Sequence, residues 1–415
     1  MASTLDHITV EGVKIPLIHE EDKRLPMVSL QLVFKQSGSI EDGKLPSLAK
    51  MSAKMMNEGT SKLGSIGFAK ALDAKAVHLS AHTGTETFVM ELSSLKESFD
   101  YGLDKFEDLL TDPNLNTESL EKVKAVSIGA LSRKENDHDY VAARALKAEL
   151  FKGTVLEHPS SGRVDDVKKV QIKDVTAFLQ DHLVLSRAVV VIGGDITLDE
   201  AKTKVTELLK QLPKGKRSDL PFVEVTKKSQ YEVLERDTEQ AYVYFGSPYN
   251  IKVGDSDEYK ARVATFILGT GGFGSRLMEE IRVKRGLAYS AYARVTLARS
   301  HVYFTGYLQT KLESQKEAEA TVKEVIAAFV KEGVTQAELD QARKFLLGSE
   351  PLRVETLSQR LSRTFQEYYK GQELGSSLKE LEKIRVLTLD DLNVYIKKHT
   401  EINDLTFAIV TNSKK

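Results

Sequence analysis

The chain has 415 residues, of which 41% are hydrophobic and 29% are charged, the balance of a globular protein with a large core. Its 59 Lys and Arg nearly cancel its 60 Asp and Glu, so no net charge draws it toward nucleic acid or an anionic membrane. The absence of Cys excludes disulfides, thiolate metal sites and a cysteine nucleophile, and no apolar run reaches the length of a membrane span.

The N-terminus MASTLDHITVEGVKIPL has no basic segment followed by an apolar core, so no signal peptide is expected in the printed sequence. Because MAS can equally replace a removed signal, the compartment is left open. We expect the bacterial periplasm if a signal peptide was removed, and the cytoplasm otherwise.

The first half of the chain alternates strand-like and helical patterns. Alternation of apolar and polar residues predicts strands within 28–39 and 75–95. The stretch SLAKMSAKMMNEGTSKLGS (47–65) predicts a helix that ends at a Gly–Thr pair, and residues 95–112 have an amphipathic helical pattern. Strands that arrive as hairpins and are followed by helices predict an antiparallel or mixed sheet with helices packed on one face.

Two pairs of segments repeat about half the chain apart. Residues 167–195 align with 384–412 at a constant offset of 217, and each copy predicts an Asp-capped amphipathic helix followed by an apolar, β-branched strand. Residues 114–131 resemble 333–350 at nearly the same offset, with a Thr before a carboxylate-rich first turn. The aligned pairs of the first repeat are Val167/Ile384, Ile172/Leu389, Asp174/Asp391, Phe178/Tyr395 and His182/His399.

The repeats predict an α+β fold of two tandem homologous domains, each an antiparallel or mixed sheet with helices packed on one face. We place the N-terminal domain at 1–211, a linker rich in Pro, Gly and charge at 212–222, and the C-terminal domain at 223–415. Further predicted elements of the second domain are strands at 241–249 and 300–310 and amphipathic helices at 312–333 and 375–399.

The stretch LGTGGFGSRLMEEIRVKRGLAYSAYA (268–293) contains a Gly-rich run, Arg282 and, seven residues later, Tyr289. The run lacks the Lys-Ser/Thr of a nucleotide loop, so it is better explained as a tight helix entry that also suits a peptide-contacting loop. From spacing alone, Arg282 would be a favourable residue at a helix C-terminus and Tyr289 the start of a core strand.

Together with VVVIGGD (189–195) and the Gly–Thr-ended helix, this stretch resembles the pitrilysin, insulinase and mitochondrial processing peptidase family of zinc endopeptidases, in its short bacterial two-domain form. The resemblance covers essentially the whole chain. In that family an H-x-x-E-H helix and a later Glu bind zinc, and the Glu between the two His activates the metal-bound water. The resemblance places these residues at Lys50, Ala53 and Lys54, with the third ligand near Ala130.

None of the four positions offers a ligand, since a protonated Lys has no lone pair and its charge repels a divalent cation. No other H-x-x-E-H or H-E-x-x-H occurs, and residues 20–77 contain no His. His78, His82 and Glu86 share one face of a predicted strand, but strand residues four apart lie roughly 13 Å apart, too far to share an ion. We therefore predict a solvated sheet face there and no metal or other cofactor in this chain.

The resemblance implies that Arg282 holds a peptide carbonyl and that the Tyr289 phenol stabilises a tetrahedral oxyanion, with Gly271 and Gly272 in the substrate-binding loop. The hypothesis is a catalytically incomplete subunit of a metallopeptidase-like heterodimer, inactive alone, whose homologous partner carries zinc and whose substrates are peptides. The alternatives are a scaffold protein, a peptide-binding protein of the same fold, and an active homodimer with unconventional ligands. A homodimer of the isolated chain is also possible.

Overall fold

The computed structural model describes residues 3–414, which form an α+β structure with two mixed sheets. The strands are β1 (Thr4–Val10), β2 (Val13–Glu21), β3 (Met27–Lys35), β4 (His78–Thr83), β5 (Thr87–Leu95), β6 (Ala188–Gly194), β7 (Tyr231–Glu235), β8 (Gln240–Pro248), β9 (Ala288–Leu297), β10 (Val302–Lys311) and β11 (Thr406–Thr411). The helices are α1 (Leu48–Met56), α2 (Gly64–Asp73), α3 (Phe99–Thr111), α4 (Thr117–Lys134), α5 (His138–Leu150), α6 (Val164–Lys169), α7 (Ile172–His182), α8 (Leu198–Leu209), α9 (Glu258–Thr265), α10 (Arg276–Met278), α11 (Gln315–Glu332), α12 (Gln336–Gly348), α13 (Leu357–Tyr369), α14 (Ser376–Val386) and α15 (Leu389–Lys398).

Each sheet contains one parallel pair among antiparallel neighbours. The first sheet has the order β1-β2-β6-β3-β5-β4, and only β2 and β6 run parallel. The second has the order β7-β11-β8-β10-β9, and only β7 and β11 run parallel. The predicted α+β class with mixed sheets is therefore confirmed.

The predicted elements are present, with shifted ends. The strand expected at 28–39 is β3, and the stretch 75–95 contains the hairpin of β4 and β5. The helix expected at 375–399 is two helices, α14 and α15, because the backbone of Leu387 leaves the helical region between them. Helix α1 ends at Met56, three residues before Gly59.

The repeat is visible in the element boundaries. Helices α7 and α15 begin at aligned residues, and β6 and β11 end at aligned residues. The aspartates are not the cap residues themselves: Asp174 is the third helical residue and accepts from the N–H of Gln171 at 2.9 Å. Likewise the N–H of Asp391 donates to the hydroxyl oxygen of Thr388, the true cap. Each helix thus begins with a hydrogen bond between its cap residue and the Asp at its third position, one half of a capping box.

The chain divides into two compact units that exchange helices between the sequence halves. The first unit contains residues up to Ser132, His158–Leu220 and Arg353–Gln366. The second contains Arg133–Glu157, Pro221–Leu352 and the residues from Glu367 on. Helix α5 therefore belongs to the second unit and most of α13 to the first. The boundary at 212–222 stays a prediction about the two homologous halves.

Helix α5 completes the core of the second unit. Its apolar residues Val141, Leu146 and Leu150 pack in one buried cluster with Tyr244 of β8 and Val410 of β11. The opposite face of that sheet packs against α11 and α15 in a separate buried cluster. Both faces of the second sheet are thus covered, as a mixed sheet with buried central strands requires.

Helix α13 is anchored in the first unit by charge. The Arg360 guanidinium donates to Glu20 at 2.6 Å and to Asp22 at 2.7 Å, and the Glu20 carboxylate is buried. Arg24 and then Arg360 hold the pKa of Asp22 well below its usual range. Because removal of one partner of a buried pair leaves the other charge uncompensated, Arg360 fixes α13 at this position.

We expect Leu146→Ala, in α5, to lower the free energy of unfolding by about 2–5 kcal/mol through the cavity it leaves. Amide hydrogen exchange should then accelerate in β8 and β11, about 100 and 260 residues away along the chain, and much less in β3. Lys152→Ala, at a largely exposed side chain just beyond α5, is the control and should leave exchange unchanged. Unaltered protection of β8 and β11 in Leu146→Ala would contradict the assigned packing.

Candidate functional site

The structure brings Arg282 and Tyr289 into contact. Arg282 lies in the π-helical segment 279–284 that continues α10, and Tyr289 is the second residue of β9. The centre of the guanidinium lies 4.3 Å from the centroid of the Tyr289 ring and 4.5 Å from that of Phe273. Both distances are within the range of cation–π attraction, so Arg282 is held by two aromatic side chains.

A β-bulge determines the direction of Tyr289. Between β9 and β10, Ala288 pairs with Thr310 and Ala291 pairs with Leu308, so Tyr289 and Ser290 together oppose a single residue. An extra residue on one strand re-aims the side chains beside it. Tyr289 is accordingly 81% exposed, and it does not begin a core strand as its spacing alone would suggest.

The Gly-rich run places Phe273 beside Arg282. A Cβ on Gly269 would lie 2.3 Å from the backbone nitrogen of Ala293, so only glycine lets this segment pack against β9. Gly272 has a φ of 62°, in the left-handed region, and Gly271 precedes it. Phe273 is 66% exposed and was not among the residues predicted for the site. The sequence feature that could have identified Phe273 is a large apolar residue within a glycine-rich run.

The helix that resembles the zinc helix contains no ligand. Ala53 of α1 is buried, and the Lys54 ammonium donates to the Ser127 hydroxyl of α4 at 2.6 Å. Ser127 in turn donates to the carbonyl of Val123 at 2.7 Å, and it lies about one turn before Ala130. The two helices that the resemblance assigns to zinc binding therefore do meet, through an amine and a hydroxyl.

A metal site elsewhere finds no support in the described part of the chain. Among residues 3–414, no group of three or more His, Asp or Glu could hold a metal ion. His78 and His82 are both exposed on β4, as expected for a solvated sheet face. The prediction that Glu86 shares this face is wrong, because β4 ends at Thr83 and Glu86 is buried in the turn that follows. Within the same residues, no helix is both long and apolar enough to span a membrane.

The N-terminus of α1 is held by a buried carboxyl group. Asp42 accepts from the N–H of Ala49 at 2.7 Å and from that of Ser47 at 2.9 Å. Burial disfavours its charged form and raises its pKa to about 7, against the opposing effect of the two backbone donors. Helix α1, which resembles the zinc helix of that family, therefore begins beside a carboxyl group that holds a proton more tightly than usual.

Comparisons with known proteins agree with this architecture. Residues 17–162 match the family described as insulinase (peptidase family M16), and residues 169–346 match the peptidase M16 inactive domain. The non-peptidase homolog YmxG of Helicobacter pylori is 44% identical over 100% of this chain and 96% of its own length.

Two solved structures share the fold. A peptidase M16 inactive domain from Pseudomonas fluorescens superposes with a TM-score of 0.90 at 23% identity, covering 99% of this chain and 98% of its own. A protease from Helicobacter pylori superposes with a TM-score of 0.84 at 16% identity, covering 99% and 100%. At these identities the likeness extends to the fold alone.

We expect the stability of the chain to fall as the pH rises from 5 to 7 through Asp42. Its folded pKa of about 7 exceeds the ordinary 3.8, so the folded state holds the proton more tightly and loses that advantage as the pH rises. The substitution Asp42→Asn removes the ionisable group. It should reduce the change in the free energy of unfolding between pH 5 and pH 7 by roughly 1–3 kcal/mol. Urea titrations at pH 5 and pH 7 measure it.

Asp165→Asn, at an exposed surface carboxylate, is the matched control for that experiment. In this variant, the free energy of unfolding should differ between pH 5 and pH 7 by the same amount as in the unsubstituted chain. An Asp42→Asn protein with the full original pH dependence would show that another group causes it.

Proposed function

Because the chain belongs to the peptidase M16 family, and because Lys50, Ala53 and Lys54 occupy the positions of that family's zinc helix, we propose that it is the zinc-free subunit of a heterodimeric peptidase. A homologous partner chain supplies the H-x-x-E-H helix and its zinc. This chain supplies Arg282 and Tyr289 to the shared site. The family membership confirms the resemblance seen in the sequence, and the 44% identical relative is itself named a non-peptidase homolog.

The contact between Arg282 and an exposed Tyr289 is the observation that supports the proposal most. A phenol ring that is 81% exposed forgoes the apolar burial available to a residue at the start of a strand. Its hydroxyl is open to a second molecule, and the bulge that exposes it is a feature typical of functional sites. A surface that displays two large rings around a cation fits a binding role better than a structural one.

The proposed roles follow from the donors present. The Arg282 guanidinium has five N–H groups and would hold a carbonyl of the bound peptide. The Tyr289 hydroxyl would donate to the oxygen that becomes negative as the scissile carbonyl is attacked. Gly271 and Gly272 would let the loop approach the peptide backbone closely. The partner's zinc would activate the attacking water, a step for which this chain has no group.

One organism contains relatives of two kinds, one named a protease and one named a non-peptidase homolog. Helicobacter pylori has both the non-peptidase homolog that is 44% identical to this chain and a protease of the same fold. The proposal requires two chains of this fold here, of which one carries the zinc helix and the other does not.

The test is peptide hydrolysis by the purified full chain, alone and mixed with its most similar homologue that carries H-x-x-E-H. We expect no hydrolysis and no stoichiometric zinc for the chain alone, and hydrolysis in the mixture. Tyr289→Phe should lower kcat/KM of the mixture about 100-fold, the usual effect of removing one oxyanion donor. Tyr231→Phe, a phenol at the other edge of the same sheet, is the control and should leave the rate unchanged.

Four outcomes would contradict the proposal. Hydrolysis by the chain alone would overturn the argument from missing ligands. Unchanged rates in Tyr289→Phe would remove the role of that phenol. Copurification with unrelated proteins and no rate gain in the mixture would favour a scaffold, whereas peptide binding without turnover in the mixture would favour a peptide-binding protein.

A further inference from the structure

Arg282 differs from the basic residues around it. Arg276 donates to Glu338 at 2.6 Å, Lys284 to Glu280 at 2.6 Å, and Arg285 to Glu324 at 3.3 Å. Within residues 3–414 the Arg282 guanidinium makes no hydrogen bond or ion pair, and its contacts are the two aromatic rings. Its N–H donors are therefore available in a segment where every other cation is paired.

We propose that this site recognises a carboxylate on the bound peptide, and that Phe273 is a positioning residue for it. The inference rests on the proposed function, in which Arg282 contacts the peptide, and it replaces the carbonyl assigned to Arg282 there with a carboxylate. A planar guanidinium matches a carboxylate through two parallel bonds, whereas a backbone carbonyl offers a single neutral acceptor. The carboxylate also compensates the one unpaired cation of the segment.

The aromatic contacts make the recognition selective. The ring centroids of Phe273 and Tyr289 lie within 4.5 Å of the centre of the Arg282 guanidinium. The rings displace water from the guanidinium and restrict the rotamers of Arg282, so less conformational entropy is lost when a ligand binds. The exposed Tyr289 hydroxyl adds a further donor beside the guanidinium. Glu279, about one turn before Arg282, forms no ion pair with it within the described residues.

A carboxylate of this kind has two sources in a peptide, the C-terminus and an Asp or Glu side chain. Recognition of the C-terminus would select the end of a fragment that has already been cleaved. Recognition of a side chain would select internal acidic segments. The shared chemistry is the planar anion, and the peptides below separate the two sources.

The experiment measures binding of the full chain to unstructured peptides of equal length that have a neutral fluorophore at the N-terminus. One peptide has a C-terminal amide and no acidic residue, the second has a free C-terminal carboxylate, and the third has the amide and one central Glu. We expect at least one carboxylate peptide to bind roughly tenfold more tightly than the neutral peptide. Which of the two does so identifies the source.

Three variants test the residues. Arg282→Gln should abolish the preference, Arg282→Lys should retain only part of it, and Phe273→Leu should weaken it severalfold without unfolding the chain. Arg285→Gln removes the same charge three residues away and is the control. Circular dichroism and thermal melts of each variant establish that the fold is intact.

Equal affinity for all three peptides would overturn carboxylate recognition and leave the proposed function standing. An equal loss of preference in Arg285→Gln and Arg282→Gln would also overturn it, because the effect would then be one of net charge. Absence of binding to any peptide would overturn both this inference and the peptide contact on which it rests.

Discussion

The second sheet depends on a helix from the other half of the sequence. Helix α5 covers one face of β8 and β11 with Val141, Leu146 and Leu150, and the second core covers the other face. With both faces packed, the sheet is a rigid support for β9, which lies at its edge. The bulge at Tyr289 and the contact with Arg282 require that support, since a site on a loose edge strand would lose its geometry.

The two units resemble each other in sequence and differ in chemistry. In the first, α1 and α4 meet through a hydrogen bond from the charged ammonium of Lys54 to the hydroxyl of Ser127. In the second, the Arg282 guanidinium lies against the rings of Phe273 and Tyr289. The first unit closes this contact with its own side chains, whereas the Arg282 donors have no hydrogen-bond partner among residues 3–414.

Several parts of this arrangement could be predicted from the sequence. The 217-residue offset places the starts of α7 and α15 correctly, because apolar periodicity and capping residues are local signals. The pairing of Arg282 with Tyr289 followed from the family resemblance. Three features could not be predicted: the exchange of α5, the bulge that turns Tyr289 outward, and the position of Phe273. Each depends on contacts between residues that are far apart in sequence.

The buried position of Ala53 limits how a zinc site could be built in this chain. The resemblance assigns the zinc-site residues of the family to Lys50, Ala53, Lys54 and a position near Ala130, so all four would need replacement to build that site here. A Glu introduced alone at Ala53, which is 3% exposed, would bury a carboxylate in a packed core before any metal could compensate it. A carboxylate at this position is therefore compatible with the fold only if a compensating charge is introduced beside it.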